Sequence, residues 1–152
     1  MEYIDIYRML DENRSLEIQE QGIEVAREMK EIDKFILPIS PEYSKNVWLN
    51  CAKILEEKTD QELSPYLPEL LEWLQDLNWP GTFIIIERLK RFNGQLLLKP
   101  FVEAMAKACR KNPEEQEWAN YLAVLIENQE LAKILPDEVS IQVQELYNDF
   151  WN

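Results

Sequence analysis

Histidine does not occur in this chain of 152 residues. Its absence excludes Ser-His and Cys-His nucleophile pairs and every histidine-ligated metal site. Cysteine occurs twice, at Cys51 and Cys109, each within apolar sequence and neither in a CxxC pair. A four-cysteine zinc site and a disulfide framework are thereby excluded. The two thiols read as small buried hydrophobes of a reducing compartment. Glycine is confined to positions 22, 81 and 94, and neither GxGxxG, GxxxxGK[ST] nor a DxDxDG calcium loop can be written with the residues present. The longest apolar runs are four or five residues, as at Phe83–Ile86 and Leu122–Ile126, far short of a bilayer span. Met1-Glu2-Tyr3-Ile4-Asp5 lacks the basic start and apolar stretch of a signal peptide, so the cytoplasm is the expected location.

Basic charge is also scarce: 16 Lys and Arg stand against 29 Asp and Glu, a formal net charge of −13. The excess is spread out, −5 over residues 1–38, −3 over 39–92 and −5 over 93–152, so it forms a solvated acidic surface and not a separate tail. Nucleic-acid binding is not expected, because phosphate contacts need a basic stripe and this field repels the backbone. The clusters Arg88, Lys90, Arg91 and Lys107, Arg110, Lys111 fall at predicted helix C-termini, where cations complement the helix dipole.

What remains abundant is Leu, Glu, Ala, Lys and Gln, the composition of helices. Ile4, Ile6, Tyr7 and Leu10 predict a short opening helix. Ser15 is a candidate N-cap for a second, on which Ile18, Gly22, Val25, Met29, Ile32 and Ile36 step as one heptad seam, with Gly22 permitting close backbone approach and Pro38 and Pro41 ending the segment. Thr59 and Ser64 are later cap candidates. The stretch from Ser64 to Pro80 organises the middle of the chain. Leu67, Leu70, Leu71 and Leu74 form one apolar stripe, Pro68 suits a first helical turn, and Asn78-Trp79-Pro80 makes a hard turn into a helix starting near Thr82. Asn93-Gly94 reads as a helix stop, and Pro100, Pro113 and Pro136 as helix starts.

The apolar positions recur. Trp48, Phe83 and Trp118 are spaced by 35 residues, as are Cys51, Ile86 and Tyr121, and Ile54, Leu89 and Val124. Pro68, Pro100 and Pro136 are spaced by 32 and 36. Helix-pair units of this length are the signature of helical solenoids. The expected fold is therefore all-α, a short HEAT-like stack of antiparallel helix pairs in one domain, with residues 1–38 as capping helices and 39–152 as about three pairs. An irregular bundle of similar helix pairs would share the spacing. The register predicts that Trp48, Phe83, Ile86, Trp118 and Leu122 are buried.

The block from Leu16 to Trp151 resembles a family of small bacterial helical domains of unknown function. The resemblance is carried by Ser44-Lys45-Asn46-Val47-Trp48 and by Pro68-Glu69-Leu70-Leu71-Glu72-Trp73-Leu74-Gln75-Asp76-Leu77-Asn78-Trp79-Pro80. It implies HEAT-like helical repeats and supplies no catalytic or binding residues.

Candidate functional residues are few. Paired carboxylates are inevitable among 29 acids and carry no enzyme signature by themselves. Asn78 reads as a cap and Asp76 as a turn former. On the middle helix, Glu69, Glu72, Trp73 and Asp76 lie at i, i+3, i+4 and i+7, a ridge opposite the leucines. Trp73 is either an exposed anchor for a partner or packs between units, as its alignment with Met105 favours. The reading is a non-catalytic interaction module with no metal or cofactor. Its protein partner carries Lys and Arg and docks on the acidic face. One alternative is an immunity-type protein that occupies a basic toxin or nuclease; a lesser one is a carboxylate enzyme, which needs a deep pocket with two facing acids. The sequence leaves the partner's identity and the oligomeric state open.

Overall fold

A computed structural model describes residues 2–36, 45–110, 112 and 116–152. Pro38, Ser40, Pro41, Ser44, Lys111 and Pro113 lie outside them, and with them the expected helix ends and one helix start. All regular structure among the described residues is helical. The α-helices are α1 (Tyr3–Leu10), α2 (Leu16–Arg27), α3 (Trp48–Glu56), α4 (Asp60–Leu63), α5 (Leu67–Glu72), α6 (Thr82–Lys90), α7 (Gly94–Cys109), α8 (Glu117–Leu122), α9 (Gln129–Ile134) and α10 (Asp137–Phe150), with 3₁₀ turns between several of them.

The opening helix buries Ile6, Tyr7 and Leu10, and the Tyr7 hydroxyl donates to the Lys34 carbonyl. Ser15 caps α2 by accepting from the Ile18 amide, and Gly22 lies against Met9 and Leu10 of α1. The heptad seam does not continue as one helix. It stops at Arg27, whose carbonyl accepts from Lys58 Nζ and whose guanidinium makes two 2.9 Å hydrogen bonds to Glu57 at the end of α3. Ile32 and Ile36 are still buried, but by a separate 3₁₀ turn, Ile32–Phe35, docked on α3. Tertiary docking overrides a seam too short to sustain a coiled coil. Asn50, buried in α3, donates to the Leu10 carbonyl and to Gln19, joining the first three helices.

The central hinge is built as the sequence suggests, with Pro68 in the first turn of α5. Trp73 Nε1 donates to the Pro80 carbonyl at 3.0 Å, Asp76 Oδ1 accepts from the Asn78 amide, and the Thr82 hydroxyl donates to the carbonyls of Asp76 and Trp73. Gly81 has φ +88° and leaves no space for a Cβ, which would sit 2.7 Å from Ala52 Cβ, so glycine is required on both counts. Asn78 is exposed and makes no helix cap; Gly81 occupies that position, one residue after Pro80.

Two other boundaries differ from expectation. Asn93-Gly94 opens a helix and does not close one: Asn93 accepts from the Leu96 amide, and a Cβ on Gly94 would lie 2.7 Å from the Leu131 backbone nitrogen. Pro100 stands inside α7, where it withholds an amide from the Leu96 carbonyl, and does not start it. Ser64 begins a 3₁₀ turn, whereas Thr59 caps α4 in a full capping box with Glu62.

Successive elements pack in series. α3 contacts α6, and α6 the 3₁₀ turn Ala123–Glu127; α5 contacts α7, and α7 contacts α9. Their inward stripes run Trp48, Cys51, Ala52, Leu55 in α3; Thr82, Ile85, Ile86, Leu89 in α6; and Trp118, Tyr121, Leu122, Leu125 in α8 and its extension, steps of 34 and then 36 residues. A uniform step of 35 puts Phe83 one position off the stripe, and Phe83 is 55% exposed. Trp48 is half-buried, while Ile86, Trp118 and Leu122 are buried as expected. One continuous core runs from Ile6 to Val143.

The connecting turns form their own polar row. Asp60 accepts from Arg88 Nη2 at 2.6 Å and from the Asn93 amide at 3.0 Å, and Arg88 also donates to the Lys58 carbonyl. Glu130 accepts from the Gly94 amide. Asn128 caps α9 through the Leu131 amide and donates to the carbonyls of Leu89 and Phe92, both at 2.9 Å. Helix ends that would otherwise leave orphan groups are thus satisfied by the neighbouring turn.

Candidate functional site

A straight helix from Glu69 to Asp76 would place Glu69, Glu72, Trp73 and Asp76 on one face. The chain instead tightens into a 3₁₀ turn at Trp73–Gln75, and the four residues part. Trp73 is fully buried, bonded through its indole nitrogen to Pro80 and packed edge-on to Trp48 at 6.4 Å. Asp76 is occupied by its turn. Glu69 is half-buried, and its Oε2 finds no hydrogen-bond partner among the described residues. Glu72 reaches the surface, where its carboxylate pairs with Lys107.

Glu72 is one rim of a hollow of about 150 Å³ where α5, α7 and α8 meet, lined by Pro68, Glu72, Pro100, Glu103, Ala104, Lys107 and Trp118. The two prolines bring rigid apolar rings to it, Pro68 from the start of α5 and Pro100 from the middle of α7. Trp118 is 4% exposed, and its Nε1 donates to the Leu71 carbonyl at 3.0 Å, which fixes the indole against α5. Glu103 and Lys107 stand one turn apart on α7, at i and i+4, and therefore face the same way. Lys107 Nζ lies 3.5 Å from Glu72 Oε1, with the side chains 63% and 43% exposed, so the pair is worth at most about 1 kcal/mol. The hollow thus has apolar walls and two carboxylates from different helices, one of them weakly held by a lysine.

Sequence reasoning missed Glu103 and took Lys107 only as a cation at a helix end. The available signal was the pair Pro68 and Pro100: prolines 32 residues apart on neighbouring helices, with Glu72 and Glu103 four and three residues beyond them. Counting along each helix from its proline puts both acids on the proline's own face.

Two other hollows among the described residues differ from it. A shallow one of about 440 Å³ runs along the turn row, lined by Lys90, Arg91, Phe92 and residues 127–130. Its polar groups are already committed, Lys90 to Glu87 and Glu127, Asn128 and Glu130 to backbone of the neighbouring turn. Another lies on the outer side of α2 beside Glu20, Ile23, Glu24 and Arg27. A half-buried aromatic corner is formed by Trp48 and Trp79, 5.6 Å apart at 87°, and Lys45 Nζ lies over both rings at 5.5 and 5.6 Å. The protein's own ammonium fills it.

Neither cysteine is activated by its surroundings. Burial pushes the Cys51 thiol far above its ordinary range, and burial also raises that of Cys109. Among the described residues no three Asp, Glu or Cys side chains converge as metal ligands, and no helix is long and apolar enough to cross a membrane.

The model of a protein family described as a domain of unknown function (DUF5071) matches residues 49–148, which span α3 through most of α10 and include the whole lining of the hollow. No curated protein and no solved structure matches the chain.

Proposed function

The chain belongs to the DUF5071 family of domains of unknown function, and from that premise we propose that it is a non-catalytic protein-binding module whose partner is basic. The observation that carries this reading is the hollow between α5 and α7, where Glu72 and Glu103 stand over apolar walls. A volume near 150 Å³ suits one side chain of another protein, whereas small-molecule sites occupy about 300–1,000 Å³. The packing of α3 on α6 and α5 on α7, with inward stripes stepping by 34 and 36 residues, supports a HEAT-like stack of helix pairs, an architecture that offers extended surfaces and no inherent chemistry. The net charge of −13 favours cationic partners at a distance. Two free thiols suit a reducing compartment such as the cytoplasm. Neutralisation of a toxin or nuclease is the special case in which the basic partner is that toxin; the acidic surface supports it no more than any other basic partner.

The test is binding to immobilised peptides rich in Lys and Arg, in Asp and Glu, or in uncharged residues. Only the basic set should bind. The association rate should fall as salt is raised severalfold above 0.1 M, where the Debye length is about 10 Å. Glu72→Lys should weaken binding at nearly unchanged stability. Absence of binding to the basic set, or binding indifferent to Glu72→Lys, overturns the proposal.

A further inference from the structure

We infer that the hollow between α5 and α7 seats one arginine side chain of the partner, and that Lys107 holds its place in the free protein. The inference rests on the reading of a basic partner above and specifies where, and by which residue, that partner is held.

Three features select the occupant. First, the lining is divided: Pro68, Pro100, Ala104 and Trp118 make apolar walls, and Glu72 and Glu103 place negative charge at the mouth. A side chain that buries a methylene stem and keeps a charged head at the rim matches this division, and only Lys and Arg have that form. Second, the protein already places a cation there. The Lys107 ammonium sits 3.5 Å from Glu72 and its side chain remains 63% exposed, so a cation is already held at the edge of the hollow. Third, two carboxylates from different helices line the hollow. A guanidinium is planar and weakly hydrated and carries donors for two carboxylates at once, whereas an ammonium is a compact, strongly hydrated point charge. Arginine is therefore preferred to lysine.

On binding, Glu72 exchanges Lys107 for the incoming guanidinium, and Glu103, one turn before Lys107, supplies the second acceptor. The departing ammonium swings into water, where it costs little. Lys107 thus acts as an internal competitor that lowers affinity and rejects partners offering only a weakly held cation.

The experiment uses the full chain labelled with ¹⁵N at its five tryptophan indoles. The probes are three capped tetrapeptides, Gly-Arg-Arg-Gly, Gly-Lys-Lys-Gly and Gly-citrulline-citrulline-Gly. The Trp118 indole signal should move in a saturable way with the arginine peptide, less with lysine and not with citrulline, while the buried Trp73 signal stays in place. Lys107→Met should tighten arginine binding roughly two- to fivefold, the release of a surface ion pair. Glu103→Gln should weaken it several-fold; both side chains point outward, so the fold is retained, and the unshifted Trp73 signal verifies this. A saturable shift confined to other indoles, equal response to lysine and arginine, or no gain from Lys107→Met overturns the inference and leaves the basic-partner reading standing. Failure of every cationic peptide to bind anywhere overturns both.

Discussion

Replacing Trp73 by alanine tests the central hinge. The side chain is fully buried, meets Trp48 edge-on and donates to the Pro80 carbonyl. Truncation of a buried tryptophan costs about 3–5 kcal/mol in lost transfer energy and residual cavity. The Pro80 carbonyl loses its indole donor, which adds about 1 kcal/mol or more. The sum, roughly 4–6 kcal/mol, consumes much of the 5–15 kcal/mol typical of a domain. For a chain of this length it lowers Tm by roughly 10–20 °C. Trp73→Phe keeps most of the ring and loses the donor, so its cost should be about 1–2 kcal/mol. Urea unfolding followed by far-UV circular dichroism measures both. Glu72→Lys on the neighbouring surface serves as control and should change stability by no more than about 1 kcal/mol. A Trp73→Ala protein within 3 °C or so of the parent would falsify the assignment of this residue to the core and return it to the surface ridge.

Three further outcomes follow from the polar and titratable groups. Asn128→Ala removes a cap and the donors to two buried carbonyls and should cost about 2–4 kcal/mol, whereas Asn93→Ala removes an exposed cap worth about 1 kcal/mol; equal losses in denaturant titrations would contradict the bridging role. Cys109, half-buried, should react with a thiol reagent in the native protein at pH 8, and Cys51 only after unfolding; peptide mass mapping that finds Cys51 modified first would refute this. Burial above all, with the nearby Tyr3 and Asp33, pushes the Tyr7 hydroxyl up to about 12. Its folded-state value exceeds the unfolded value near 10, so the folded form holds its proton longer, and its stabilisation is present below pH 10 and lost between pH 10 and 12. Tyr7→Phe should flatten that alkaline loss of Tm, and an unchanged alkaline slope is the opposing result.

Local signals were legible where one residue type has one physical use. Ser15 and Thr59 cap helices because their hydroxyls reach the third amide onward, and Asp76 bonds the amide two residues on. The hinge at Asn78-Trp79-Pro80 could likewise be placed from its proline and the leucine stripe before it. Signals that depend on neighbours could not. Ile32 and Ile36 continue a heptad seam, yet the docking of Lys58 and Glu57 onto Arg27 ends the helix first. Asn93-Gly94 suits a stop as well as a start, and the close approach of the Leu131 backbone decides between them. The even 35-residue spacing averaged two unequal steps and so mistook Phe83 for Thr82, whose hydroxyl is turned inward to the hinge carbonyls. At the candidate site, Glu72 was found through its helix, but Glu103 and Lys107 matter only because α7 lies beside α5, a relation no local pattern encodes.

The interlocked row of turns bears on how the chain is made. Asp60 receives its second bond from Asn93, 33 residues later, and Gly94 is bonded by Glu130, 36 residues later. At a synthesis rate of about 5–20 residues per second, each turn waits roughly 2–7 s for the segment that completes it. During that interval the helices already made present apolar surface that the next segment has yet to cover. Pauses before a turn is completed therefore prolong that exposure, and pauses after its completion do not.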